Sequence, residues 1–387
     1  MERTLKIIVL SSIMMVLSYS WIINLFHDEV QDFLTDQFGI NINTELVGAY
    51  TKTPLIPITS DTWFDGSFQE NWNLYADENI ELRARLVCLK NEIHYDFFRE
   101  SGNNTVVVGK DNYLFEKKYL TSLIGEDYIG YNTIQARVKQ LKNAREKLKL
   151  MGKDLLVLIA PSKGYFNHEK LPQAFVVDSG VKTNYRVYKD LLQGSGLPYI
   201  NFNDYFLSIK NKTPYPLIPR VGAHWSNYGA ALACDSIIKK LEAMSGKKMN
   251  HFKINPTAVS DDSGFSEEDL EVILNLLKPL KNIPLAHPVL EFESDSSKYQ
   301  PRVIAVSDSY YWNIQMLEMP QHCFANDAQF WYYYKTVYKT SVGAMPLSTV
   351  NIKAELDKAD IIILMATEPN LAAFPFGFLE ELNRYLK

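Results

Sequence analysis

The chain is poor in cysteine, has no long basic run and carries no repeats, and each absence narrows what it can do. Its three cysteines, Cys88, Cys234 and Cys323, show no C-x-x-C spacing, which argues against a zinc site. An odd count leaves at most one bridge plus a free thiol, so disulfides are not what hold the fold together. Nothing in the pattern asks for a metal or a cofactor. Forty Lys and Arg stand against 45 Asp and Glu, a formal net charge of -5, which argues against nucleic acid as the main partner. Low-complexity tracts are absent too. What remains is a globular composition: hydrophobic residues are 47% and charged residues 22% of 387, enough for a sizeable core.

The longest uncharged run is at the N-terminus, IIVLSSIMMVLSYSWIINLF, from Ile7 to Phe26. Its length suits a helix that crosses a bilayer core. Arg3 and Lys6 precede it, and Asp28 and Glu29 follow. The basic flank favours the cytoplasmic side and puts the remainder outside. A cleaved signal peptide is the competing reading, with Ser18 and Ser20 near a cleavage site. We favour an uncleaved anchor, because the run continues through Trp21, Ile22 and Ile23. The expected organisation is a cytoplasmic tip and anchor over 1–27, a stalk over 28–66 and one domain over 67–387. Either export reading puts the domain in the periplasm or outside the cell.

Within that domain the pattern predicts helices over 67–99 and 133–152, with a hairpin at TVVVGKDNYLFE (105–116). Beyond residue 150, strand and helix alternate. Strands are expected in KDLLVLIAPSK (153–163), LPYINFNDYF (197–206), PRVIAVSDSYYW (301–312) and ADIIILMATEPN (359–370). Helices are expected near 183–194, 226–245, 350–358 and 375–386. Unbroken aliphatic strands between helices predict an α/β fold with a mainly parallel sheet covered on both faces. Polar residues 246–300, with SDDSGFSEEDLE, read as an insertion on the sheet's rim, and SEEDLEVILNLLKPL (266–280) within it as a surface helix. The aromatic run FWYYYKTVYK (330–339) reads as a strand in preference to a carbohydrate-binding stretch.

In such a sheet the loops after the strands' carboxyl ends share one edge, where ligands bind. Lys163, Asp204, Asp308, Ser309 and Glu368 all fall just past predicted strands. Ser309 follows a buried strand and starts a helix, which suits either a nucleophile or an N-cap. His224, in RVGAHWSNYGAALA, sits between apolar neighbours at a helix start. It reads as the base for Ser309 or as a core histidine. Asp308 could equally cap the helix. Lys163 and Tyr165 read as substrate contacts or as an ordinary turn. Trp225 reads as a sugar-stacking ring or as core.

The pieces GKDNYLFEKKYL, LIAPSKGYFNHEKLP, HWSNYGAALA, VIAVSDSYYW and DIIILMATEPNL, in this order, resemble the SGNH-hydrolase-like proteins of the alginate O-acetylation family. The chain is more distantly similar to the D-alanyl transfer protein of teichoic-acid modification. The resemblance covers most of 65–387. It implies an SGNH-hydrolase-like domain behind a membrane anchor or export signal, with the histidine preceding the serine in the chain. The SDS at 307–309 matches the family's Gly-Asp-Ser-like turn with Ser307 in place of glycine.

The family's Asp-x-His motif is broken here, because its acid position is Gly222. Catalysis then rests on a Ser309–His224 dyad, on a substitute carboxylate such as Glu368 or Asp204, or is lost. An aspartate restored at 222 is expected to leave activity unchanged or raise it, provided that the loop tolerates a side chain. The resemblance implies O-acetyl transfer onto an exported polysaccharide or cell-wall glycan. A membrane-bound O-acyltransferase partner would supply the acyl group. The alternatives are a carbohydrate acetyl esterase and a non-catalytic scaffold or glycan-binding component of an export complex.

Overall fold

The computed structural model describes residues 53–387 apart from 79–80, 177–179, 261–263 and 340–342, together with 46–48 and scattered positions between 4 and 33. Just over half of the apolar run at 7–26 therefore lies outside the described residues. Among the described residues, no helix is long and apolar enough to cross a membrane.

The chain divides into two compact units, Met1–Asn103 with Val272–Pro279, and Asn104–Glu271 with Leu280–Lys387. In the first, helices span Ser60–Phe64, Ser67–Glu78 and Glu81–Ile93, and one π-helical turn follows at His94–Phe98. The short segment 272–279 is held there by side chains. Asn91 donates to the Leu274 carbonyl at 2.8 Å and Asn103 to that of Ile273 at 3.1 Å.

In chain order the strands are β1 (Val106–Val108), β2 (Leu114–Glu116), β3 (Asp154–Ile159), β4 (Tyr199–Asn201), β5 (Phe252–Ser260), β6 (Leu285–Phe292), β7 (Val303–Ser307), β8 (Gln329–Tyr332), β9 (Thr336–Lys339), β10 (Gly343–Pro346) and β11 (Ile361–Ala366). All belong to the second unit. Its main sheet has the order β10-β9-β8-β7-β11-β3-β4. β8, β7, β11, β3 and β4 run parallel, while β9 runs antiparallel to both its neighbours, β8 and β10. The sheet is thus mixed, with a parallel centre. The cause lies in the aromatic run, which forms two strands and not one: the chain reverses at Tyr333–Lys335 and β9 pairs back on β8. Tyr333 (φ 49°) and Tyr334 (φ 55°) both take the left-handed conformation in that turn, at a cost of about 1–2 kcal/mol for each non-glycine residue.

Strand β3 shows how the layers arise. Every residue from Asp154 to Ile159 is buried. Leu156 and Leu158 join a core with Trp225, Ile237 and Ile314 from the helices Asn227–Ser245 and Tyr311–Met316 and the loop before them. Leu155, Val157 and Ile159 join the opposite core, with Leu141 and Leu148 of helix Tyr131–Leu150 and Leu379 of helix Phe378–Tyr385. Alternate residues serve opposite faces because the strand repeats every two residues. Each buried aliphatic side chain contributes roughly 1.5–3 kcal/mol by leaving water.

The hairpin expected at 105–116 forms as β1 and β2, antiparallel. The insertion differs from its reading. β5 and β6 make a two-stranded antiparallel ribbon, and the predicted surface helix at 266–280 shrinks to a 3-10 turn at Phe265–Glu267 and a single turn at Asp269–Val272. Asn275 sits at φ 49°, and the Ile273 and Leu274 carbonyls are taken by side chains of the first unit. Those bonds compete with helix continuation.

Candidate active site

Three parallel strands deliver the site. β7 lies between β8 and β11, and β11 between β7 and β3, so their carboxyl ends form one edge. Ser309 stands two residues past β7, half-buried.

The turn before Ser309 is fixed by Asp308, which is fully buried. One carboxylate oxygen accepts from the Tyr310 backbone N–H at 3.2 Å. The other accepts from the Thr367 N–H and hydroxyl, both at 2.7 Å, and from the Asn370 amide at 2.8 Å. A buried carboxyl is tolerated when it is this fully hydrogen-bonded. Asp308 thereby ties the end of β7 to the loop after β11, and it does not face His224.

His224 arrives from the loop ahead of helix Asn227–Ser245. Ser226 caps that helix, accepting from Gly229 N–H at 3.0 Å and donating to the Pro216 carbonyl at 2.7 Å. Trp225 is buried against Phe202, Phe206 and Tyr310, with centroids 5.7, 6.3 and 5.4 Å away. It is core, not a sugar platform, and it anchors the loop beside the histidine. The His224 ring lies 4.7 Å from the Tyr310 ring, and the Tyr310 hydroxyl donates to the Ala223 carbonyl at 2.6 Å. In this position His224 Nε2 is 2.9 Å from Ser309 Oγ.

The orienting acid is Asp269. Its Oδ2 is 2.5 Å from His224 Nδ1, and its Oδ1 accepts from the Ala223 N–H at 2.7 Å. A carboxylate on Nδ1 keeps the proton there and leaves Nε2 to accept one from Ser309. Neither carboxylate proposed from the sequence does this. Asp204 pairs with Lys189 at 2.7 Å and with Asn201 at 2.9 Å. Glu368 is buried behind the edge, near Ser162, and burial pushes its carboxyl up to about 7.

Gly222 explains why the acid comes from so far along the chain. A Cβ at 222 would lie 2.6 Å from both the carbonyl carbon and oxygen of Glu267. The backbone that carries Asp269 occupies the space that an aspartate side chain at 222 would need. Further bonds hold this segment in place. Glu271 N–H donates to the Val221 carbonyl at 3.1 Å. Glu267 accepts from the Asn227 N–H at 2.9 Å, a favourable place for a carboxylate at a helix start. Asn282 donates to the Glu267 carbonyl at 2.9 Å, and Asn313, on the helix that follows Ser309, donates to Ser266 at 3.0 Å.

Lys163 is buried rather than poised at the edge. Its Nζ donates to the carbonyls of Arg220 and Gly222, at 2.6 and 2.7 Å. Burial holds its ammonium well below the usual lysine range. It braces the histidine loop. Tyr165 packs edge-on against Tyr185, centroids 5.0 Å apart. Sequence reasoning missed Asp269, although it lies in the quoted SDDSGFSEEDLE. Its one signal was an acidic stretch in an insertion, which resembles any solvated loop.

The crowding at Gly222 turns the earlier expectation around. Gly222→Asp displaces Glu267 and with it Asp269, so stability should fall by about 1–3 kcal/mol, as overpacking does, and activity should fall with it. Thermal unfolding and ester turnover on the same sample check this. A fully active variant with an unchanged melting temperature would refute it.

A family model described as the SGNH hydrolase-like domain of the acetyltransferase AlgX matches residues 106–294. The match includes His224 and Asp269 and ends before Ser309. No curated protein matches the chain. Among solved structures, it is similar to the O-acetyltransferase domain of Pseudomonas putida AlgJ, at 18% identity and TM-score 0.47, over 72% of this chain and 98% of that one. It is similar to Pseudomonas aeruginosa AlgX at 17% identity and TM-score 0.44, over 71% and 67%. It is also similar to Bacillus cereus PatB1 at 14% identity and TM-score 0.42, over 71% and 99%. Over residues 106–294 the chain thus matches the SGNH hydrolase-like acetyltransferase family described for AlgX, and its resemblance is to that family.

Proposed function

We propose that the protein transfers acetyl groups to hydroxyls of an exported polysaccharide or cell-wall glycan through an acyl-Ser309 intermediate. The observation that carries this reading is His224 bridging Ser309 and Asp269, at 2.9 and 2.5 Å. In the first half-reaction Ser309 Oγ attacks the acyl carbonyl while His224 Nε2 takes its proton. Collapse of the tetrahedral intermediate breaks the bond to the donor, which leaves with that proton. In the second half, a sugar hydroxyl gives its proton to His224 and attacks the acyl carbon. Ser309 then leaves and recovers the proton. Asp269 stabilises the imidazolium in both halves.

The family match supports an acetyl group, and a polysaccharide is the acceptor that this likeness suggests. The apolar run at 7–26 and its charge asymmetry support a placement outside the cytoplasm. A membrane-bound O-acyltransferase would deliver the acyl group across the bilayer. The intact relay counts against a non-catalytic scaffold.

The relay is tested by substitution. Asp269→Asn should lower kcat about 10⁴-fold with the fold intact, the scale of a misplaced tautomer. Ser309→Ala and His224→Ala should each remove most activity, and the double variant should be little worse, because the pair acts as one unit. Wild-type glycan acetylation in cells carrying Ser309→Ala would sink the reading. With an activated acetyl ester, oligosaccharide acceptors should divert the product from free acetate to acetylated sugar; acetate alone, whatever the acceptor, would make the protein an esterase. A reporter fused after Lys387 should be active only outside the cytoplasm, and a cytoplasmic signal would overturn the placement.

A further inference from the structure

Glu267, two residues before the orienting acid, carries contacts that the relay itself does not use. Its side chain is fully buried. One oxygen, Oε1, accepts from the Asn227 N–H at 2.9 Å. The other, Oε2, has no hydrogen-bond partner among the described residues. A buried carboxylate oxygen without a donor is costly unless an opposite charge faces it. The group that faces it is His287, whose Nδ1 lies 3.9 Å from Oε2.

His287 comes from the ribbon of the insertion. Leu285 pairs with Ser260 across β5 and β6, and His287 stands two residues along β6, on the same face. Ser260 is thus its diagonal neighbour, with Oγ 3.3 Å from His287 Nε2. The imidazole is 31% exposed, so solvent protons reach it, while Glu267 is sealed behind it. The order of groups repeats that of the catalytic unit, a serine on Nε2 and a carboxylate on Nδ1. At 3.9 Å, however, the carboxylate contact is one of charge and not a hydrogen bond, so it holds a segment and relays no proton. Burial pushes the Glu267 carboxyl up; the Asn227 N–H and then the His287 charge draw it down, and the neighbouring Glu268 opposes them.

We infer that His287 is a positioning residue: its imidazolium holds the Glu267 carboxylate and thereby fixes the segment that brings Asp269 to His224. The link runs through the main chain. The Glu267 backbone lies against Gly222, where a Cβ would be 3.0 Å from the Glu267 Cα, and its carbonyl takes the Asn282 amide at 2.9 Å. Asp269 follows two residues on and must meet His224 Nδ1 at 2.5 Å. A neutral imidazole leaves Oε2 without a counter-charge, and the segment is free to shift. An imidazole changes its charge between about pH 5 and 8, so the holding contact is present at low pH and is lost as pH rises. His287 acts on the reaction through Asp269.

This inference rests on the acyl-Ser309 reading, and the test separates the two. The full chain is assayed with 4-nitrophenyl acetate across the titration of an imidazole, with spontaneous hydrolysis subtracted. His287→Asn keeps a donor near the place of Nδ1 and cannot be charged. At about pH 6 it should lower kcat about tenfold, the scale of a buried charged group deprived of its partner, and leave KM within about twofold. At about pH 9, where the wild-type imidazole is neutral as well, the two proteins should converge. His287→Gln, a longer neutral amide, should behave alike, and thermal unfolding checks that each variant is folded. Glu267→Gln keeps the acceptor for the Asn227 N–H and removes the charge. Adding His287→Asn to it should change kcat no further, because coupled partners are non-additive. Wild-type kcat in both His287 variants at the lower pH, beside an inactive Ser309→Ala, would overturn the role of His287 alone. A loss of the same size at both pH values would overturn it as well, by assigning the effect to packing, and so would additive losses in the double variant. An active Ser309→Ala would overturn the acyl-serine reading itself.

Discussion

The two bonds made by the Asp269 carboxylate are the constraint on which the site depends. One oxygen takes the His224 ring and the other takes the Ala223 N–H. The first bond sets the tautomer, and the second fixes the backbone from which the ring projects. A side chain that reaches its base from 45 residues downstream needs its own backbone brought very close. That closeness is visible at Gly222, where not even a β-carbon fits against Glu267. Glycine at this position is therefore the condition for the acid's arrival and not the mark of a lost one.

The two sides of the pair are held by different means. The Ser309 side is held through Asp308, whose carboxyl gathers donors from Tyr310, Thr367 and Asn370 and so couples β7 to β11. The base side is a loop with little secondary structure of its own. It is braced from below by Lys163, capped by Ser226 and packed through Trp225. Buried polar groups of this kind stabilise only when their partners are all in place, so the loop's geometry is specified by the set and not by any one bond. The acid segment adds the third side and touches both others, through Val221 and Asn227 on the loop and Asn313 beyond the serine.

In this arrangement the acid comes from 45 residues beyond the histidine. The AlgX-type match runs from β1 into the insertion and so takes in both the histidine and its acid. The position that would carry the acid in an Asp-x-His motif is instead a contact surface for the segment that does carry it. A serine–histidine–carboxylate unit is defined by geometry and role, and chain order is free to vary.

The sequence alone determined a good deal. Nearly unbroken aliphatic runs placed β3, β7 and β11 and, at 197–206, a strand that proves to be only Tyr199–Asn201 before a helix takes over at Phe202, and helical spacing placed most of the helices between them. The rule that ligands gather at the strands' carboxyl ends singled out Ser309 and Asp308, and the apolar setting of His224 marked it as unusual. These features are local, because propensity and periodicity act over a few residues. The rest was decided by the tertiary structure. Asp269 lies in an acidic stretch that reads as a solvated helix, and only the folding of the insertion against Gly222 brings it to the imidazole. Lys163 reads as an edge residue and is a buried support. The aromatic run at 330–339 reads as one strand and folds as a hairpin, because a left-handed turn at two tyrosines overrides their extended preference. In each case the deciding interaction joins residues distant in the chain, and such an interaction leaves no periodic trace in the sequence.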